Sequence, residues 1–318
     1  MNKVIDFVSK YALYCILFVL IVYFSLRAPF FLSGDNIINI IRQTAIIGIC
    51  AVGMTFIILT GGIDLSTGSV LGVSAAIAAR LMVAGFHPVL ASTAAVLSGV
   101  VCGLINGFFV AKVGLPPLIT TLGTMTALRG VTLVLTYGSG VFGIPRSYRV
   151  LGQGNLGPIP ISAIIMIAAF VLGYFILERT RFGRYVYGVG DNEEATRLSG
   201  VNVSLVKYAI YAFSGFLSAL AGIVFLGRMM SAQPTAGQQY EMEIITAVVL
   251  GGVSIMGGEG KISGVILGLI IMGVLVNGMI IMDMSLFTQW AVKGTVLLLA
   301  VSYDKFMLKR KNRITARL

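Results

Sequence analysis

The residues of this chain that could do chemistry are few, and their spacing excludes most of what they might suggest. The run Gly257 to Ser263, GGEGKIS, looks like a phosphate loop, because glycine amides and a lysine together can cradle a polyphosphate. The spacing G-x-x-x-x-G-K-S/T would need glycine where Ile255 stands and a hydroxyl where Ile262 stands, so no nucleotide site is expected. Neither H-E-x-x-H nor G-x-S-x-G occurs, and the single histidine, His87, precedes Pro88 with no second imidazole to share a metal. Cys15, Cys50 and Cys102 fall in apolar runs without paired spacing and read as small buried hydrophobes. No catalytic residue, no metal site and no cofactor held by this chain follow from these patterns.

What remains is polar chemistry embedded in apolar sequence. Arg129 and Lys293 lie inside apolar runs, where a charge is costly and must be paired or wet. They are candidates for a pathway, or for structural pairing with carbonyls or with an acid such as Asp64. Gln43, Asn106, Thr120, Thr121, Thr124 and Asn277 could line a wet path for a polyol, and could equally bond neighbouring helices. The run Thr60 to Ser69, TGGIDLSTGS, interrupts an otherwise continuous apolar stretch. Gly61 and Gly62 permit a break, and Asp64 and Ser66 can cap the helix that follows. A tight cytoplasmic turn accounts for these residues, and so does an interrupted helix lining a pathway, since non-helical backbone at membrane depth needs protein or a wet cavity beside it.

The elements that position these residues follow from composition. The 318 residues are 57% hydrophobic and only 11% charged, with mean hydropathy +0.96, against roughly a quarter charged in soluble domains. Apolar runs of about twenty residues without alternation exclude a barrel and indicate an all-α polytopic membrane protein. Ten spans are expected: 11–26, 40–59, 65–83, 89–110, 117–137, 161–177, 205–226, 242–256, 262–281 and 286–303, the eighth being short. With the N-terminus inside, Lys3, Lys10, Lys112, Arg179, Arg181, Arg184, Arg197, Lys207, Lys261, Lys305, Lys309, Arg310, Lys311, Arg313 and Arg317 are cytoplasmic. Arg27, Arg42, Arg80, Arg146, Arg149 and Arg228 are outside. Fifteen against six agrees with the positive-inside rule and places both termini in the cytoplasm. The net charge of +11 therefore reads as an orientation signal, with no nucleic-acid partner implied. The whole of 1–318 is expected to form one transmembrane domain. Its outside loops, 138–160 and 227–240, are turn-rich and polar.

The longest polar passage between spans is 178–204, ERTRFGRYVYGVGDNEEATRLSGVNVS. Asp191 or Asn192 can cap a helix, Glu193 and Glu194 suit its first turn, and Gly200 can end it, which predicts a helix over 191–199. Ala195 and Leu198 share a face, with Arg197 on a different side. So short a helix, bracketed by Gly190 and Gly200, needs a groove in another protein to be stable. An ordinary capped connector is the plainer alternative. Two further patterns are packing signals: glycines at 99, 103, 107 and at 260, 264, 268 allow close helix approach. A faint internal echo aligns Gly61-Gly62, Gly68, Leu71 and Gly72 with Gly257-Gly258, Gly264, Leu267 and Gly268 at a shift of 196.

TGGIDLSTGS, the run from Arg179 to Gly200, SAQPTAG at Ser231 to Gly237, and AVVLGGVSIMGGEG at Ala247 to Gly260 together resemble the ribose-type permeases of bacterial ABC importers, in order and spacing over nearly the whole chain. The resemblance implies a ten-helix permease fold of the ribose/vitamin B12 type in the bacterial inner membrane, working as a homodimer or with a paralogous second copy. It implies a cytoplasmic ATPase that binds ATP and magnesium, a soluble sugar-binding protein on the other side, and membrane lipid around the chain. The helix carrying Asp191, Asn192, Glu193, Glu194, Ala195, Thr196, Arg197, Leu198 and Gly200 corresponds to the coupling helix that docks into the ATPase, although Glu193-Glu194-Ala195 departs from a strict Glu-Ala-Ala. Gly61, Gly62, Asp64, Ser66, Asn106, Arg129, Asn277 and Lys293 are the gate or pathway candidates. Arg146, Arg149 and Arg228, basic residues on the outside, are candidates for docking an acidic face of the binding protein. Alternatives are a permease for a sugar-like signal or a branched-chain amino acid, and an ion-driven carrier.

Overall fold

The computed structural model describes residues 2–315, with side chains described for 13–302 and Lys305. Lys3, Lys10 and the basic tail 309–317 lie outside the described side chains, so their proposed orienting role has no structural counterpart here. Each of the ten expected apolar segments contains one helix. These are α1 (Asn2–Arg27), α2 (Gly34–Leu59), α3 (Thr67–Val83), α4 (Pro88–Phe108), α5 (Pro117–Thr136), α7 (Ile161–Arg179), α10 (Val203–Met229), α11 (Tyr240–Leu250), α12 (Ile262–Ile281) and α13 (Leu286–Thr315). Three shorter helices lie between them: α6 (Arg149–Gln153), α8 (Arg181–Asp191) and α9 (Glu193–Leu198). A two-stranded hairpin, β1 (Asn155–Leu156) with β2 (Ile159–Pro160), leads into α7.

Local chemistry sets many of the helix starts. Ser33 accepts from the Asn36 amide to cap α2, Asn202 accepts from the Leu205 amide to cap α10, and proline opens α4 and α5 where a missing N–H costs nothing. A π-helical stretch, Phe109–Val113, prolongs α4 to Gly114 at φ +80°. Among the described residues, six helices are long and apolar enough to cross a membrane: α2, α4 with its extension, α5, α7, α10 and α12. The segment expected as the eighth span is helical only over the 11 residues of α11, a rise of about 16 Å against a hydrocarbon core of about 30 Å.

The centre of the bundle is α2 and α10, both buried over most of their length. Around them sit α3, α4, α7 and α12, with α5 lying on α3, α1 on α12 and α13 on α11. The first glycine row behaves as its spacing implies. A Cβ on Gly99 would lie 2.5 Å from the Gly215 carbonyl oxygen, and one on Gly103 would lie 2.1 Å from that of Tyr211, so α4 and α10 meet backbone to backbone. In the second row, Gly264 and Gly268 press in the same way on the Gly251 and Ala247 carbonyls of α11 and the turn after it. Gly103→Leu is therefore expected to destabilise the purified permease by about 1–3 kcal/mol through overpacking. Gly123→Leu, on the exposed face of α5 with nothing within 4 Å, should change stability by less than about 0.5 kcal/mol. Thermal unfolding in detergent separates the two, and equal midpoints would show that α4 and α10 can part freely.

Candidate functional site

The TGGIDLSTGS run is an extended interruption between two buried helices. Helix α2 ends at Leu59, Gly61 takes φ +75°, and α3 begins only at Thr67. The backbone between them is satisfied by side chains from other elements: Thr121 Oγ1 of α5 accepts from the Leu65 amide at 3.1 Å and donates to the Ile63 carbonyl at 3.2 Å. Asp64 is buried and accepts from both the Ser66 amide, at 2.8 Å, and the Ser66 hydroxyl, at 2.6 Å. Ser66 stands at the N-cap of α3, yet its side chain makes no cap bond because it serves Asp64. Asn106 of α4 donates to Ser66 Oγ at 2.9 Å. The Asn106 Oδ1 and Tyr211 hydroxyl beside this turn are buried without a hydrogen-bond partner. The packing of α4 on this turn thus brings Asn106 to Gly61, Gly62, Asp64 and Ser66 in one cluster.

The basic residues find other acids. Among the described residues no ion pair involves Asp64. Arg129 Nη2 pairs with both carboxylate oxygens of Glu241, at 3.2 and 3.3 Å, and Lys293 Nζ pairs with Glu243 Oε1. The pairing with Asp64 suggested by the sequence is therefore corrected, and for a geometric reason. Both glutamates sit in the first turn of α11, where the helix dipole favours them, and two residues apart they project to opposite sides. Glu241 reaches α5, and Glu243 reaches α13. The signal was present: two acids at the head of a short span, and two cations inside apolar runs that needed partners.

The segment leading to α11 also departs from expectation. Residues 227–240 read as an outside surface loop, but Ser231, Ala232, Ala236 and Gly237 are buried. Ala232 bridges to Val141 of the other outer loop, and the chain then runs along α3. A Cβ on Gly72 would lie 2.6 Å from the Ala236 carbonyl oxygen, and one on Gly68 would lie 2.3 Å from that of Gly237. Gly68 is one residue into α3, so the head of α11 lies near the Asp64 turn, most of the length of α3 away from Val83. Bare glycine backbone on both sides makes this entry possible.

On the opposite side of the sequence's polar passage, α8 precedes α9 directly, so the nine-residue helix expected over 191–199 is six residues long and does not stand alone. Thr180 caps α8 by accepting from the Gly183 amide, and α8 buries Gly183, Val186 and Val189 along one face. Burial and the neighbouring Glu178 push the Tyr187 phenol up to about 12, so it stays protonated and donates to the Gly260 carbonyl at 3.0 Å. Asn192 is the cap of α9, accepting from the Ala195 amide at 2.9 Å, while Asp191 ends α8. None of α9 is buried, and Leu198 is 80% exposed. Arg197 pairs with Glu193 and Glu194 of its own helix, and Glu193 also accepts from Lys207 of α10 at 2.7 Å. Thr196 donates to the Asn192 carbonyl, and Gly200, at φ +84°, ends the turn.

Asn277 takes the helix-bonding alternative, and Arg228 departs from expectation. Asn277 exchanges two 2.9 Å hydrogen bonds with Asn36 in the buried contact of α12 with α2, which satisfies it as a helix tie. Arg228 is only partly exposed, in the last turn of α10, where its carbonyl accepts from Gln153. Arg146 and Arg149 are exposed, as a docking surface requires.

The family described as branched-chain amino acid transport system / permease component covers residues 36–301. The chain belongs to that permease family. It is 47% identical over 291 residues to the ribose import permease protein of Bacillus subtilis strain 168, covering 91% of this chain and 90% of the relative. It is 44% identical over 292 residues to the ribose import permease protein of Escherichia coli K12, covering 91% of each. It is 37% identical over 317 residues to the L-arabinose transport system permease protein of the same strain, covering 96% and 93%. No solved structure matches it. With six crossing-length helices, this permease is an integral membrane protein.

Removing one member of a buried ion pair strands the other charge, at about 3–5 kcal/mol. Lys293→Met is expected to lower the stability of the permease by that order, and Glu243→Gln with Lys293→Met together should recover much of the loss. Chemical denaturation in detergent reads the difference. Equal losses in the single and double variants would mean the pair does not hold α11 in place.

Proposed function

We propose that this permease is the membrane subunit of an ATP-driven, binding-protein-dependent importer of a monosaccharide, ribose or a similar sugar. The observation that carries the reading is the near full-length identity to permeases named for ribose import. The permease named for L-arabinose matches at lower identity, which favours ribose within the sugars. A branched-chain amino acid enters only through the family's description. An ion-driven carrier would want titratable acids free to load an ion, and Glu241 and Glu243 are held in ion pairs instead.

In this reading about ten segments cross the inner membrane with both termini in the cytoplasm, the eighth crossing being made by the extended chain along α3 together with the short α11. A second copy or a paralogue completes the assembly within the surrounding lipid. The cytoplasmic ATPase binds ATP and magnesium and docks on α9 through Leu198, the large apolar side chain that nothing in this chain covers. Arg146 and Arg149 steer an acidic face of the sugar-binding protein, with Arg228 behind them. The Asp64 turn and the head of α11, one against the other beside α3, form the wall of the sugar path, which resembles the broken helices that line transporter sites.

Leu198→Asp should bury a charge in the ATPase groove at a cost of several kcal/mol. The permease should stay as stable as wild type, while ATPase co-purification and D-ribose uptake both fall sharply. Unchanged co-purification would make α9 an ordinary connector. Vesicles containing this permease alone, under a proton or sodium gradient, should accumulate no D-ribose; concentrative uptake there would overturn the ATP-driven assignment.

A further inference from the structure

The two halves of the internal echo meet in space, and they meet under the helix that leads to α9. The Gly258 amide donates to the Leu59 carbonyl at 2.9 Å, which ties the turn after α11 to the end of α2. Gly257, at φ +86°, would place a Cβ 2.8 Å from the Gly61 amide nitrogen and 3.0 Å from the Gly190 carbonyl oxygen. Gly190, near the end of α8, closes the junction from below: its Cβ would lie 1.8 Å from the Leu59 carbonyl oxygen and 2.5 Å from the Gly258 nitrogen. Three separate backbones therefore touch at one point with no side chain between them.

Each backbone at this point leads to a different place. From Leu59 the chain enters the Asp64 turn within a few residues. From Gly258, α11 lies only a short turn back, with its two ion pairs to α5 and α13. From Gly190 the chain reaches the cap of α9 two residues on. The Tyr187 hydrogen bond to the Gly260 carbonyl fastens α8 to the same turn a second time. By contrast, α9 buries nothing of its own, and among the described residues its side-chain ion pair to the membrane body is Glu193 with Lys207 of α10. A surface pair of that kind is worth about 1 kcal/mol or less, too little to move a bundle.

We infer that the Gly190 junction is the joint through which displacement of α9 reaches the two interrupted segments, with Gly190 as the positioning residue. This rests on α9 being the ATPase contact proposed above. The joint moves as one body, because three backbones in direct contact leave no compliant side chain to absorb a shift, and packed interfaces switch between discrete arrangements. A push on α9 then moves the Asp64 turn and the α11 turn together, shifting that wall of the path as one piece.

The test compares Gly190→Ala with Gly188→Ala, whose Cβ would have its nearest contacts, from 3.0 Å, with the flexible Thr196 side chain, in the complete complex with its ATPase and sugar-binding protein in vesicles, using D-ribose. Gly190→Ala should retain the ATPase and hydrolyse ATP near the wild-type rate, while D-ribose imported per ATP falls about tenfold or more, as a misplacement of about 1 Å can do. Gly188→Ala should leave that ratio near wild type. An unchanged ratio in Gly190→Ala overturns the inference. Loss of the ATPase from a well-folded Gly190→Ala permease also overturns it, because the junction would then set only where α9 sits. If Gly190→Ala does not assemble, hydrogen exchange on the wild-type complex decides: the Gly258 amide should stay protected both without nucleotide and with ATP trapped. Loss of protection on trapping would show a joint that opens, and would end the proposal. The Leu198→Asp result is independent of all these, so the reading of α9 and the role of the junction can fail separately.

Discussion

A helix of 11 residues that begins inside an apolar bundle presents its first-turn amides where water cannot reach them freely, and α11 is such a helix. Its glutamates answer this. Carboxylates in the first turn complement the dipole, and Arg129 and Lys293 neutralise them from opposite sides. A buried ion pair contributes little net stability compared with apolar residues of the same volume. Its effect is on alternatives: any rotation or slide of α11 leaves four charges unpaired, so every displaced arrangement is costly. The position of α11 is thereby fixed more sharply than its own short hydrophobic face could fix it, and the turn before it and the turn after it inherit that position.

The rest of the body is held by backbone contact. Gly99 and Gly103 on α4 against α10, Gly68 and Gly72 on α3 against the entering chain, and Gly264 and Gly268 on α12 against α11 all place carbonyls where a Cβ would otherwise stand. Such contacts are favoured between helices in lipid, where burying apolar side chains gains little and close packing gains more. The rigidity they give is what allows a displacement at one end of the bundle to appear at another.

Periodicity and charge made the large features legible. Every apolar segment of sufficient length became a helix, Asn192 capped where its spacing predicted, and TGGIDLSTGS broke the chain where Gly61 and Gly62 allowed it. Three things were hidden for physical reasons. Span counting assigned 227–240 to a surface because Pro234, the glutamines and Gly237 are polar or turn-forming, but polar backbone can enter a bundle wherever a partner such as Gly68 leaves room. Helix α8 was overlooked because RFGRYVYGVGD carries three glycines, poor helix formers, and its burial of Val186 and Val189 against the body outweighs that propensity. Asn277 read equally as a path-lining group or a helix tie, because its partner, Asn36, is 241 residues away in sequence and no local pattern joins them.

The same hidden distance bears on the internal echo. Glycine pairs recur by chance in a chain with 39 glycines, so the alignment of Gly61-Gly62 with Gly257-Gly258 carries little weight as a sequence statement. Its spatial counterpart carries more. Both pairs take left-handed or close-contact positions, and Gly190 from a third element presses on Gly258 and on the Leu59 carbonyl just before Gly61. A duplicated half-structure would place equivalent turns at equivalent depths, which is what allows them to meet. A chance coincidence of glycines would have no reason to bring the two turns within hydrogen-bonding distance of each other. The hydrogen bond from the Gly258 amide to the Leu59 carbonyl therefore ties the two turns in a way that composition alone could not show.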